Sequence, residues 1–142
     1  MTLVVMPGNN VCGQNASLFT IPGTGGSACT NLAAATSEGN AASSSMTGTG
    51  QRDVFFYFTP SDPCATGWTF STCTPSTPDV DTNVSIHTAC PTPTANNQLG
   101  TDSADQGCGS GNLSQATWTN LVVGTPYIIR VGMWSSGATP TR

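Results

Sequence analysis

The sequence predicts an all-β domain, an antiparallel sandwich held together by disulfides, and three observations support this prediction. Apolar residues alternate with polar ones in short runs, and no useful window shows helical periodicity. Gly, Pro, Asn and Asp fill the gaps between these runs, as they do in turns between short strands. Six cysteines are spread along the 142 residues, and none lies in a C-x-x-C pair. An even number of separated cysteines is typical of a disulfide framework.

The N-terminal half of the chain carries three strand signals. Thr2–Met6 is short, rich in β-branched residues and closed by Pro7, and Ser17–Ile21 is followed by a Pro-Gly turn. Val54–Thr59 reads VFFYFT and is apolar on both alternating faces. A strand that is apolar on both faces is typical of the centre of a sheet, so we expect it to be a central strand.

The C-terminal half supplies the other strands, for a total of about eight. Gly67–Cys73 places its two aromatic residues on one face. In the next strand we expect Val84 and Ile86 to face the core, and Asn83, Ser85 and His87 to face water. The remaining strands are expected at 116–121 and 127–131.

Composition and charge exclude several kinds of partner. The chain has seven acidic residues, three arginines and a net charge of −4, so it has little basic surface to neutralise the phosphates of a nucleic acid. No apolar run approaches the ~20 residues that a membrane-spanning helix needs. Because disulfides persist in oxidising compartments, we expect an extracellular or cell-surface protein.

Several segments from Asp53 onward follow one another in an order that resembles the bacterial pre-peptidase C-terminal (PPC-like) domain family. They read DVFFYFTP, GWTFSTC, DTNVSIHTAC, TDSADQGCG and VVGTPYIIRVG, and the upstream NNVCGQNA resembles the opening of that family. The resemblance covers residues 9–132. It implies a jelly-roll-like β-sandwich over 9–142 that binds or spaces partners without catalysis. Some family members bind calcium, and others bind collagen or polysaccharide.

The C-terminus departs from the family pattern and suggests a function. Family members continue past the VGMW-like segment into a last strand, whereas here SSGATPTR follows and contains Pro140. We therefore expect the domain to lack its last strand and residues 1–8 to form a spare strand and tether. Donated to the next copy, this strand would complete its sandwich and build a surface fibre. The residues expected in this contact are Leu3, Val4, Val5 and Met6.

A binding module of a larger secreted enzyme is the alternative. Such a module would hold a polysaccharide or a protein for a catalytic domain elsewhere. Trp118 and Trp134 would then stack on sugar rings, whereas Trp68 alternates with Phe70 and is expected in the core. His87 is the only histidine, and no nucleophile motif accompanies it, so we expect no enzyme activity.

The disulfide pairing is predicted from strand directions. Cys64 and Cys73 flank one strand, and about nine residues at ~3.3 Å each separate them by far more than the ~7 Å that a disulfide allows. Alternating strand directions place Cys64 and Cys90 at one end of the sandwich and Cys73 at the other, and Cys108 joins Cys73 if residues 97–101 run antiparallel to the strand at 82–88. The expected pairs are Cys12–Cys29, Cys64–Cys90 and Cys73–Cys108.

A calcium site is expected at the end of the sandwich that holds Cys73. Asp79, Asp81, Asp102 and Asp105 lie on the two loops that a Cys73–Cys108 bond would join. Calcium takes six to eight oxygen ligands from flexible loops of this kind. The alternative is that these residues only cap turns.

Overall fold

The computed structural model describes Cys12 and residues 20–24, 52–73, 81–90, 97–100, 103–104 and 113–133. These residues form seven strands and no helix, so the all-β class is confirmed. Accordingly, the described part of the chain contains no helix long and apolar enough to cross a membrane. The strands are β1 (Thr20–Ile21), β2 (Asp53–Phe58), β3 (Trp68–Ser71), β4 (Thr82–His87), β5 (Ser103–Ala104), β6 (Gln115–Trp118) and β7 (Tyr127–Met133).

A five-stranded sheet contains β7 at its centre, in the order β1-β2-β7-β4-β5. All neighbours in it are antiparallel except β1 and β2, which are parallel. Because β2 and β4 both pair with β7, they run in the same direction. We call the end with Phe58, His87 and Tyr127 the lower end, and the end with Asp53 and Thr82 the upper end.

A two-stranded antiparallel sheet of β3 and β6 packs against one face of the five-stranded sheet. The Phe58 ring meets the rings of Trp68 and Phe70 edge-to-face, with centroids 5.0 and 5.1 Å apart. Edge-to-face contact is a favoured geometry for aromatic pairs. Trp68 therefore lies at the core, as predicted. The buried core residues are Val54, Phe56, Phe58, Phe70, Val84, Ile86, Tyr127 and Ile129.

The second face of β4 is buried, which corrects the prediction that it faces water. Asn83, Ser85 and His87 are all 0% exposed. Alternation assigns these residues to the face opposite Val84 and Ile86, but it does not say whether that face meets solvent. The side chains of Ser85 and His87 lie 2.9 Å apart, and this hydrogen bond lowers the cost of burying them.

The disulfide prediction takes residues 97–101 to run antiparallel to the strand at 82–88. In the structure Gln98 forms an isolated antiparallel bridge with His87, which agrees with that direction. Asn97 and Gly100 have φ angles of 52° and 69°, which extended backbone does not adopt. The first predicted strand, 2–6, lies outside the described residues, and of the second, 17–21, the structure describes Thr20–Ile21.

The turn before β7 is held by a tyrosine corner. Thr125 N donates to Val122 O at 3.1 Å, and Gly124 has a φ angle of 80°, as the third residue of a type II turn requires. The buried Tyr127 hydroxyl accepts a hydrogen bond from Val122 N at 2.9 Å. A tyrosine hydroxyl bonded to backbone just upstream is a recurring feature of β-sandwich domains.

Two of the predicted disulfide pairs are wrong. Cys12 is bonded to Cys90, with their Cα atoms 5.7 Å apart, and Cys64 is an exposed free thiol. The Cys64–Cys90 and Cys12–Cys29 pairings are therefore excluded. Both Cys64 and Cys90 do follow the lower end of a strand, as predicted, but a shared end does not fix the lateral distance between two thiols. Cys73 is disulfide-bonded, and its proposed partner Cys108 lies outside the described residues.

Candidate functional site

A buried ion pair joins β2 to β7. Arg130 donates from Nε and Nη2 to Asp53 Oδ2, at 2.9 and 2.7 Å. Both side chains are at most 3% exposed. A buried charge is tolerated when a partner and hydrogen bonds compensate for its lost hydration. Because both side chains are buried, a ligand in solvent does not reach them. Their burial therefore favours a structural role.

A serine–histidine contact lies on the same buried face. Ser85 Oγ and His87 Nε2 are 2.9 Å apart, and both residues are 0% exposed. A hydroxyl beside an imidazole is the arrangement that activates a nucleophile, but a nucleophile must also meet its substrate. Burial therefore favours a structural role for this contact, and His87 is not the surface histidine that the sequence predicted.

A cluster of hydroxyl groups ties the two sheets together at the upper end. Ser114 N donates to Thr72 Oγ1 at 3.0 Å and to Thr82 Oγ1 at 3.2 Å, while Ser114 Oγ donates to the Thr82 carbonyl. The Thr72 and Thr82 hydroxyls are 2.8 Å apart. These bonds satisfy buried polar groups where β3, β4 and β6 meet. The pattern has no local sequence signal, because the three residues are far apart in the chain.

The expected calcium ligands fall mostly outside the described residues. Asp81 is half-buried and directly precedes β4, whereas Asp79, Asp102 and Asp105 are not described. The β4–β5 pairing sets Ala104 opposite Asn83, two residues along the chain from Asp81. Within the described residues, no group of three or more His, Cys, Asp or Glu side chains is placed to hold a metal.

Trp118 packs between the sheets rather than standing out from them. Its ring lies 5.8 Å from that of Phe70, and its Nε1 donates to the carbonyl of Leu99 at 3.0 Å. It is half-buried and packs against the core cluster. This placement favours packing over the sugar-stacking role, and Trp134 lies outside the described residues.

The outer face of the two-stranded sheet is an uncharged hydroxyl surface, which sequence reasoning missed. Thr69 and Thr117 lie opposite each other, with their hydroxyl oxygens 2.7 Å apart. In the sequence, these polar residues alternate with the inward-facing aromatic residues, and this alternation could have indicated the surface. The exposed side chains of this hydroxyl face are Thr69, Ser71, Gln115, Thr117 and Thr119.

The outer edge of β3 is the candidate site for assembly. β3 pairs with β6 on one side, and no strand among the described residues pairs with its other edge. Phe58 packs against the inward-facing rings of β3 and is buried, and Ile21 pairs with it from β1. An open edge presents backbone N–H and C=O groups to an added strand. The donor residues predicted for this contact, Leu3, Val4, Val5 and Met6, lie outside the described residues.

Comparison of the chain with known protein families, with curated proteins and with solved structures finds no match.

Proposed function

We propose that this protein is a non-catalytic extracellular structural module, a PPC-like, jelly-roll-like β-sandwich whose copies form a surface fibre by donating residues 1–6. The observation that carries the proposal is the outer edge of β3, with which no strand among the described residues pairs. The buried positions of Ser85, His87, Asp53 and Arg130 also support it, because these groups are used inside the fold. Strand addition at a sheet edge gains affinity from backbone hydrogen bonds and specificity from alternating side chains.

The described core differs from the expected open groove. Its apolar side chains are buried within one chain, and only Val122 and Val123 are exposed among the large apolar residues that the structure describes. The donated strand therefore extends a sheet edge instead of filling an empty core. Either Leu3 and Val5 or Val4 and Met6 would face inward, and backbone hydrogen bonds to the edge would supply most of the affinity.

Removal of residues 1–6 tests the proposal. We expect the shortened chain to remain folded and monomeric, while the full chain forms particles that grow with concentration in light scattering. Val5→Asp should weaken assembly if Val5 faces inward, because a charge would be buried without a partner. Thr2→Ser is the matched control and should assemble normally. If the deletion leaves assembly unchanged, the copies do not join by strand donation.

The hydroxyl face of β3 and β6 favours one alternative, a polysaccharide-binding accessory module. Its exposed side chains are uncharged donors and acceptors, which suit a neutral hydroxyl-rich polymer. Such a module would be retained on an insoluble polysaccharide as a monomer. Replacing Thr69, Thr117 and Thr119 by alanine should then abolish retention, with Val123→Ala as the control.

A further inference from the structure

The single histidine of the chain is fully buried. His87 is the only histidine in the sequence, and it occupies the last position of β4 with 0% of its surface exposed. Imidazole is the one side chain whose ordinary pKa, near 6.5, lies between pH 5 and 8. The fold therefore removes from solvent the one side chain that ordinarily changes charge in this range.

The neighbours of His87 on the sheet favour its neutral form. Ser85 Oγ lies 2.9 Å from Nε2, and the neutral ring can make this hydrogen bond in either tautomer. On β7, Arg130 pairs with Ser85, so it lies diagonal to His87 at about 7–8 Å. Arg130 is buried and positively charged. A second positive charge on His87 would lose its hydration and be repelled by Arg130.

The other titratable groups that the structure describes on this face do not oppose that effect. The Asp53 carboxylate is bonded to Arg130 through Oδ2, so its charge balances the guanidinium. Tyr57 on β2 pairs with the same residue of β7 as His87, and a phenol is neutral at acid and neutral pH. Asp81 precedes the other end of β4, about 20 Å away along the strand.

From this arrangement we infer that His87 is an acid-sensitive switch: the neutral imidazole keeps this face of the sheet closed, and a proton on the ring opens it. The unfolded chain binds that proton near pH 6.5, whereas the native chain resists it to lower pH. The native state is therefore fully stable above about pH 7 and loses stability as the pH falls below about 6.5. The loss approaches tenfold in the folding equilibrium for each further pH unit.

Proton NMR of the intact protein tests the first step. Because the chain has one histidine, the imidazole signals need no variant for their assignment. We expect the ring of native His87 to titrate at a lower pH than the same ring in the urea-unfolded chain. A native midpoint equal to or above that of the unfolded chain would overturn the switch.

Urea unfolding at pH 7.5 and 5.5 tests the effect on stability. The folding equilibrium constant of the natural sequence should fall about tenfold between these values. His87→Gln keeps an amide that can bond to Ser85 but cannot take up a proton, so this dependence should be lost. Ser85→Ala is the matched control, which keeps the imidazole and should retain the dependence at a lower overall stability.

Two results would contradict the switch. One is an equal pH dependence in the natural sequence and in His87→Gln, which would assign the proton to another group. The other is a natural sequence whose stability does not change between pH 7.5 and 5.5. If His87→Gln does not fold, the NMR titration of the natural sequence and of Ser85→Ala decides, because both retain the ring.

Discussion

At the scale of single residues, Cys64 gives the most direct test of the cysteine arrangement. It lies in the turn after β2, where its backbone N–H donates to Asp62 Oδ1 at 2.9 Å, and its thiol is exposed. We expect a maleimide to label Cys64 in the native protein without reductant, because an accessible thiol reacts and a disulfide does not. Cys64→Ser should remove the label from the peptide that contains position 64. A non-reduced peptide that links Cys64 to Cys90, instead of Cys12 to Cys90, would contradict the structure.

The Asp53–Arg130 ion pair gives a second prediction at this scale. Asp53→Asn leaves the Arg130 charge buried without a matching carboxylate, and breaking a buried pair in this way costs about 3–5 kcal/mol. Urea unfolding measures this loss. Asp62→Asn is the control. Asp62 is less buried than Asp53, so its substitution should lower the free energy of unfolding far less.

A double variant separates the charge effect from packing. Replacing Asp53 by Leu and Arg130 by Met removes both charges and should recover part of the stability, because apolar residues of similar volume often replace a buried pair without loss. If Asp53→Asn costs no more than the Asp62 control, the pair does not hold β2 to β7.

At the scale of elements, alternation predicted which residues share a face but not what covers the second face. Val84 and Ile86 are in the core as expected, whereas His87 was assigned to water and is buried. Local sequence also could not reveal the strand order, because the pairing of β7 with β2 and β4 joins residues far apart in the chain. The hydroxyl cluster around Ser114 was missed for the same reason.

The tyrosine corner before β7 is predicted to stabilise the connection between the sheets. Tyr127→Phe removes the acceptor for Val122 N, which leaves a polar group with one bond fewer at a cost of about 1–2 kcal/mol. Val123→Ala changes an exposed side chain in the same turn and should stay within about 0.5 kcal/mol. Thermal unfolding of both variants measures the difference. Equal melting temperatures would mean that the corner contributes nothing.

The loops beside β4 and β5 carry the calcium prediction. Asp81, with Asp102 and Asp105 as the other expected ligands, should bind calcium and raise the melting temperature, because a ligand that binds only the native state stabilises it. Excess chelator should reverse the shift, and Asp81→Asn should abolish it. Asp62→Asn is the control and should retain the shift. If millimolar calcium does not change the melting temperature, these residues act only as turn caps.

At the scale of the whole molecule, the distribution of buried groups supports the proposal of assembly. Both faces of β2, β4 and β7 are largely buried, and their charged pair is used internally. Among the described residues, the two-stranded sheet therefore carries the surfaces left for a partner, namely the edge of β3 and the hydroxyl face. The edge offers backbone groups, which bind an extended segment with little demand on its sequence.

Head-to-tail strand donation gives the last prediction, because an interface between different surfaces does not close and each subunit extends the chain. A copy that lacks residues 1–6 still presents the β3 edge but cannot donate, so it should terminate a growing fibre. Adding this variant to the full chain before assembly should shorten the fibres in proportion to its fraction, as measured by electron microscopy. Full-length Thr2→Ser, which retains donor and acceptor, should join the fibres without shortening them. Unchanged lengths at an equal amount of the deletion variant would show that the copies do not join by donated strands.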